Sequence, residues 1–151
     1  MDHTESDRLA IRELIEAYSD ALNTRDFATM AQFFTETAIW RADPPFALHF
    51  EGAAIAKNIA AMVANYPVLL QMTHGIVVAV EGDHATARTT IHEIGQATDG
   101  ASGLNSFGIY HDELLRTARG WRFAARRFQG LLLDTAPLPG NVVGTLGNEP
   151  P

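Results

Sequence analysis

The chain contains no cysteine, which excludes disulfides and every metal site built on thiolate. It also lacks any apolar run near the roughly 20 residues that span a bilayer. The first residues, MDHTESDR, are acidic and polar, the opposite of a secretory leader, so a cytoplasmic location is expected by default. No glycine-rich phosphate loop is present, because the stretch from Gly100 to Gly108 lacks the strand-then-helix setting such a loop needs. No Gly-x-Ser-x-Gly elbow occurs. The six histidines (His3, His49, His74, His84, His92, His111) show no His-Glu-x-x-His spacing, so neither a metal nor a cofactor is expected. The net charge of −7 repels nucleic acid and anionic membrane alike. Arg116, Arg119, Arg122, Arg126 and Arg127 cluster near the C-terminus, but alternating strands scatter them over both faces, so no nucleic-acid or membrane partner is expected.

What is present suits one domain. With 151 residues, 46% hydrophobic and 19% charged, the chain can bury a real core. Ile11, Leu14, Ile15, Tyr18 and Leu22 form one apolar stripe at helical spacing, predicting a helix from about Ser6 to Asn23 with Ser6 and Asp7 as its capping residues. A short helix follows near Asp26 to Phe34, and Ala38-Ile39-Trp40 reads as a brief strand. A third helix opens at Gly52, buries Ile55, Ile59, Met62 and Val63, and stops at Pro67. The period then changes to two. Leu69 to Glu81 pairs with Ala85 to Ala97, and Phe107 to Thr117 pairs with Trp121 to Leu132. Helices first and antiparallel strands afterwards predict an α+β fold, a curved mixed sheet forming a cone closed by three N-terminal helices. That domain takes residues 1–134; residues 135–151 form a Pro/Gly-rich tail.

The hairpin turns set the register. With Gly82-Asp83 as a two-residue loop, Leu70, Met72, His74, Ile76, Val78 and Val80 share the apolar inner face, and His74 opposes Ile91. With Arg119-Gly120 as the second loop, Asp112 opposes Arg127 and Tyr110 opposes Gln129, with Phe123 and Ala125 on the same face. His92, His111, Glu113 and Arg126 then point outward. The apolar outer residues Leu115 and Phe128 predict a homo-oligomer, a dimer or trimer.

Each candidate has a structural role available: Asp26 as the cap of the second helix, His74 as a core histidine, Tyr18, Trp40 and Tyr110 as packing aromatics. Together, Tyr18-Ser19-Asp20 with Asp26 eight residues after Tyr18, Ala38-Ile39-Trp40, Thr73-His74, Tyr110 and Gly120-Trp121-Arg122-Phe123 form a wider pattern. It resembles the SnoaL-like group of the nuclear transport factor 2 superfamily, nearest to the hexachlorocyclohexane dehydrochlorinases and, more loosely, the scytalone dehydratases. The resemblance covers about Leu9 to Arg127. It implies the cone fold, a trimer, and a dyad in which Asp26 orients His74 for proton abstraction. Activity is then expected to be a cofactor-independent elimination or isomerisation on an apolar, ring-containing molecule. Tyr110 and Arg127 would stabilise developing charge, and Tyr18, Trp40, Met72, Ile91, Asp112 and Phe123 would line the pocket. A binding or assembly module without turnover, or an accessory subunit of a ring-hydroxylating oxygenase, is the alternative.

Overall fold

The apolar stripe of the first helix is buried along its whole length: Ile11, Leu14, Ile15, Tyr18 and Leu22 are all core residues. A computed structural model describes residues 3–144 and 147. In it α1 runs Thr4–Thr24, α2 Phe27–Ala31, β1 Phe34–Ala42, β2 Leu48–Glu51 and α3 Ala54–Val63. Four long strands follow: β3 Val68–Glu81, β4 His84–Gln96, β5 Gly103–Thr117 and β6 Gly120–Asp134. They join one curled six-stranded sheet in the order β2-β1-β6-β5-β4-β3. The sheet is mixed because β1 lies parallel to β6 and every other pair is antiparallel. Among the described residues, no helix is long and apolar enough to cross a membrane. The second helix ends earlier than its apolar residues suggest, since Phe34 already pairs with Phe123 in the sheet. The short edge strand β2 carried no separate signal.

α1 begins at Thr4, and Asp7 is not its cap. Asp7 instead accepts two bonds from the Arg116 guanidinium, at 2.7 and 2.8 Å, and one from the Trp121 indole at 3.1 Å. Arg116 also reaches Asp83 at 2.9 Å, so one guanidinium joins α1, β5 and the β3–β4 turn. Farther along, Arg12 donates to the Ile76 carbonyl at 2.8 Å and Arg8 to the Val78 carbonyl at 3.3 Å, both on the free edge of β3. At the other end of α1, Arg25 takes a left-handed backbone (φ 63°), and its side chain caps α3 by donating to the carbonyls of Val63 and Tyr66, each at 2.8 Å. Helix ends leave such carbonyls without intrahelical partners.

Two β-bulges correct the expected register. One extra residue lies on β3 between His74 and Val77, where Gly75 (φ 55°) supplies the left-handed conformation that other residues rarely adopt. Past the bulge, Ile76, Val78 and Val80 face inward as expected. Before it the parity inverts: Leu69 and Gln71 are buried, while Leu70 and His74 are exposed. His74 therefore opposes Thr90, not Ile91. On β6 the turn falls at Ala118-Arg119, and Ala124 is the extra residue. Arg126, rather than Arg127, thus opposes Asp112, and Phe128 turns inward, to 5% exposure. Phe128 is consequently not an apolar residue of the outer face.

The tail is tied down near its start. Gly103 N–H donates to the Thr135 carbonyl at 3.1 Å, and the Gln96 amide donates to the carbonyls of Leu138 and Gly140.

Asp7 yields a pH test. The Arg116 bonds, then the Trp121 bond, pull its pKa from 3.8 down to about 2. A depressed carboxylate adds stability above its unfolded pKa, and that stability is lost as pH falls through the folded one. Circular dichroism melts should show the wild-type melting temperature falling more steeply between pH 4 and pH 2 than that of Asp7→Asn, which starts lower. Parallel curves would remove Asp7 from the acid response.

Candidate active site

Beneath α1 and α3 the inner face of the sheet encloses a cavity of about 290 Å³. Apolar side chains dominate its wall, among them Leu22, Ile59, Met62, Val63, Leu69 and Phe128. Six side chains with polar groups interrupt that wall: Tyr18 from α1, Trp40 from β1, Glu93 from β4 and Tyr110 from β5, with Asn65 and Tyr66 from the segment after α3.

Glu93 is held by a relay of side chains. Its Oε1 accepts from Gln71 Nε2 at 2.8 Å, directly across the β3–β4 ladder. Gln71 Oε1 in turn accepts from the Ser19 hydroxyl of α1 at 2.7 Å. Asn23 clamps the Gln71 backbone, accepting from its N–H at 2.7 Å and donating to its carbonyl at 3.0 Å. The end of α1 thereby fixes the amide that fixes the carboxyl. Burial pushes the Glu93 pKa up, and the Gln71 bond only partly opposes this. The surface Glu93 retains belongs to the cavity wall. A carboxyl in such a setting can exchange a proton nearer to neutral pH than an ordinary glutamate can.

Facing it is a cluster of hydrogen-bond donors, Tyr18, Trp40 and Tyr110, that interact weakly with one another. Among the described residues, the Tyr18 hydroxyl and Trp40 Nε1 are buried and unbonded. Burial raises the pKa of Tyr18 and of Tyr110, so both phenols keep their protons at neutral pH. An unbonded buried donor costs free energy, and a ligand carrying an acceptor atom would recover it.

Below the tyrosines lies a buried ion pair. Arg126 Nε and Nη2 donate to the two oxygens of Asp112 at 2.9 and 3.3 Å, and both side chains are fully buried. The guanidinium lies 4.1, 3.9 and 4.4 Å from the ring centres of Tyr18, Tyr110 and Phe123. Desolvation raises the Asp112 pKa while Arg126 opposes it. Cation and rings together set the floor of the site.

Of the residues the sequence marked, Tyr18, Trp40 and Tyr110 line the cavity. Ile91, Phe123 and Asp112 are buried on the inner side but form the layer around it. Met72 is half-buried and outside the lining. His74 is exposed, displaced by the β3 bulge. Asp26 caps α2, accepting from the Thr29 N–H at 3.1 Å and the Thr29 hydroxyl at 2.7 Å; neither it nor His74 lines the cavity. Arg127 points outward to Asp43 at 2.6 Å. Sequence reasoning missed Glu93, Gln71 and Arg126. The inward parity that places Ala85, Ala87, Thr89 and Ile91 inside also includes Glu93, two residues on. Gly75, inside a strand, was a signal for the bulge that brings Gln71 inward. Among the described residues, no three of His, Cys, Asp or Glu gather into a metal-binding cluster.

The sequence model of the SnoaL-like domain matches residues 4–127. Similar solved structures include the following three. A candidate aromatic ring hydroxylase from Novosphingobium aromaticivorans is 28% identical, with a TM-score of 0.80 over 87% of this chain and 94% of that one. A candidate scytalone dehydratase from the same organism is 17% identical, with a TM-score of 0.80 over 99% of each chain. A type 2 hexachlorocyclohexane dehydrochlorinase is 17% identical, with a TM-score of 0.78 over 97% of this chain and 95% of that one.

The ion pair generates the second test. Asp112→Ala leaves a guanidinium buried and uncompensated, which should cost about 3–5 kcal/mol. Asp112→Leu combined with Arg126→Met removes both charges and should be the more stable variant. Urea denaturation of the two would give the order, and a reversed order would show that the pair itself is stabilising.

Proposed function

The chain belongs to the SnoaL-like family, and on that premise we propose that it is a cofactor-independent lyase or isomerase acting on an apolar, ring-containing small molecule. The observation that carries the reading is Glu93: a carboxyl with a raised pKa, fixed by Gln71, in the wall of an otherwise largely apolar cavity. In this reading its carboxylate takes a proton from ring carbon. The electron pair released either forms a double bond and expels a neighbouring leaving group, or moves onto a carbonyl oxygen. Tyr18, Trp40 and Tyr110 lie on the same wall and can donate to the atom that gains charge. Arg126, under both phenols, favours negative charge there. The likeness to a dehydrochlorinase and to a candidate dehydratase supports elimination as the chemistry. Glu93 takes the role that the sequence pattern gave to His74, because it faces the cavity and His74 does not.

The binding-module reading keeps the same cavity and ligand but requires no proton transfer, so one residue separates the two. Glu93→Gln keeps an oxygen able to accept from Gln71 but cannot act as a base. Turnover of hexachlorocyclohexane, scytalone and small cyclic ketones, with deuterium exchange from heavy water as a second readout, should fall by about 10²- to 10⁴-fold in this variant. In the wild type, kcat/KM should rise with pH, with a midpoint above the ordinary glutamate value. Stability carries the opposite sign: a raised carboxyl pKa favours the folded state at low pH, and this advantage is lost as pH rises through that pKa. Glu93→Gln should therefore melt no lower than wild type at pH 8. Undiminished turnover in Glu93→Gln, or its abolition by His74→Ala alone, would overturn the assignment.

A further inference from the structure

Four aromatic rings run in contact along the cavity wall. Tyr18 meets Tyr110 at 6.0 Å between ring centres, Tyr110 meets Phe128 at 5.3 Å, and Phe128 meets Phe46 at 5.6 Å. All four line the cavity. The first three are buried, whereas Phe46 is only half-buried. It is carried by the connection between β1 and β2, in which Pro44, Pro45 and Ala47 are exposed. The Phe46 ring therefore stands between the cavity and solvent, at the end of the run remote from Tyr18.

Two glycines make room for this end of the run. Gly108 and Gly130 oppose each other across the β5–β6 ladder. Neither has a positive φ, so the fold uses their missing side chains there and not their backbone freedom. A β-carbon at Gly108 would collide with the Phe128 ring, and one at Gly130 would lie 2.9 Å from Phe46 Cε2. Carbon atoms in good contact keep roughly 3.5–4.0 Å apart, so Gly130 is the seat of the Phe46 ring. The connection is also pinned at its base. Asp43 donates its N–H to the Phe128 carbonyl at 2.9 Å and accepts from Arg127 at 2.6 Å, and its carbonyl accepts from the Phe46 N–H at 3.1 Å. Among the described residues, no lysine, arginine or histidine lines the cavity. A charged group reaching toward Phe46 would thus lose its hydration with no cation to meet it.

We propose that Phe46 is the specificity-determining residue of this cavity. Its ring, seated on Gly130, blocks the end remote from Tyr18. It thereby limits how far a neutral, ring-containing ligand can extend from an oxygen held among the donors. Compact rings fit, and rings bearing a chain opposite that oxygen do not. The inference rests on the reading of the cavity as a ligand site, but not on proton transfer by Glu93.

Calorimetric titration with cyclohexanone and its 4-alkyl homologues, methyl to hexyl, tests this without requiring turnover. In wild type each added methylene should tighten binding by about fourfold while it finds apolar wall, until the chain meets Phe46 and affinity falls. In Phe46→Ala the rise should continue past that length. The longest homologue should then bind at least about tenfold tighter than to wild type, with cyclohexanone itself changed by less than about threefold. Phe46→Leu, a smaller apolar replacement, should give an intermediate limit. Gly130→Ala displaces the ring and should shift the wild-type limit, yet shift nothing when combined with Phe46→Ala, because it acts only through the ring. Circular dichroism melts verify that each variant is folded. A chain-length limit unchanged in both Phe46→Ala and Phe46→Leu would overturn the inference and leave the Glu93 assignment standing. So would a Gly130→Ala effect equally large with and without the ring. A limit that depends on Phe46, together with undiminished turnover in Glu93→Gln, would support the inference and remove the base.

Discussion

The site depends on which residues of a long strand face inward, and two of the sheet's bulges decide that around the cavity. A strand alternates faces every residue, so one extra residue exchanges inside for outside along the remainder. On β3 the exchange at Gly75 brings Gln71 to the cavity side and leaves His74 in solvent. On β6 the exchange at Ala124 brings Arg126 against Asp112 and sends Arg127 to the outer face. The carboxyl relay and the buried ion pair under the tyrosines both follow from those insertions.

The site is polar only where a polar group is held from behind. Glu93 has Gln71, Gln71 has Ser19 and Asn23, and Arg126 has Asp112. The exceptions in the lining are the Tyr18 hydroxyl and the Trp40 indole, which meet only each other and Tyr110; on the floor, Arg126 keeps one unbonded nitrogen, Nη1. A low-dielectric enclosure strengthens every such interaction and penalises every omission. The contrast therefore separates scaffold from working surface: groups with partners position, and groups without them remain available to a ligand.

The helices, the sheet's composition and the closed, helix-covered architecture were legible because periodicity and apolar spacing are local properties. The α1 and α3 stripes match their buried faces almost residue by residue. Tyr18, Trp40 and Tyr110 read locally as packing aromatics, and only the family resemblance marked them for the pocket. The expected inward position of His74 differs because parity was carried straight through Gly75, and Asp26 caps α2. Arg126 and Arg127 are adjacent arginines that only the position of a turn and a bulge distinguishes. Glu93 needed no long-range information, only the alternation on β4 followed two residues past Ile91.

The contacts of α1 with the β3 edge bear on association between strands. β3 is an outermost strand, and such a strand normally offers a row of unsatisfied carbonyls and amides to any passing extended segment. Arg8 and Arg12 reach from α1 to the Val78 and Ile76 carbonyls, so two of the acceptors a foreign strand would need are already taken. The first helix is thus a guard against edge-to-edge polymerisation as well as a wall of the cavity. A fray of its opening turns would uncover part of that edge before it disturbed Tyr18 or Ser19, which lie farther along the helix than Arg12.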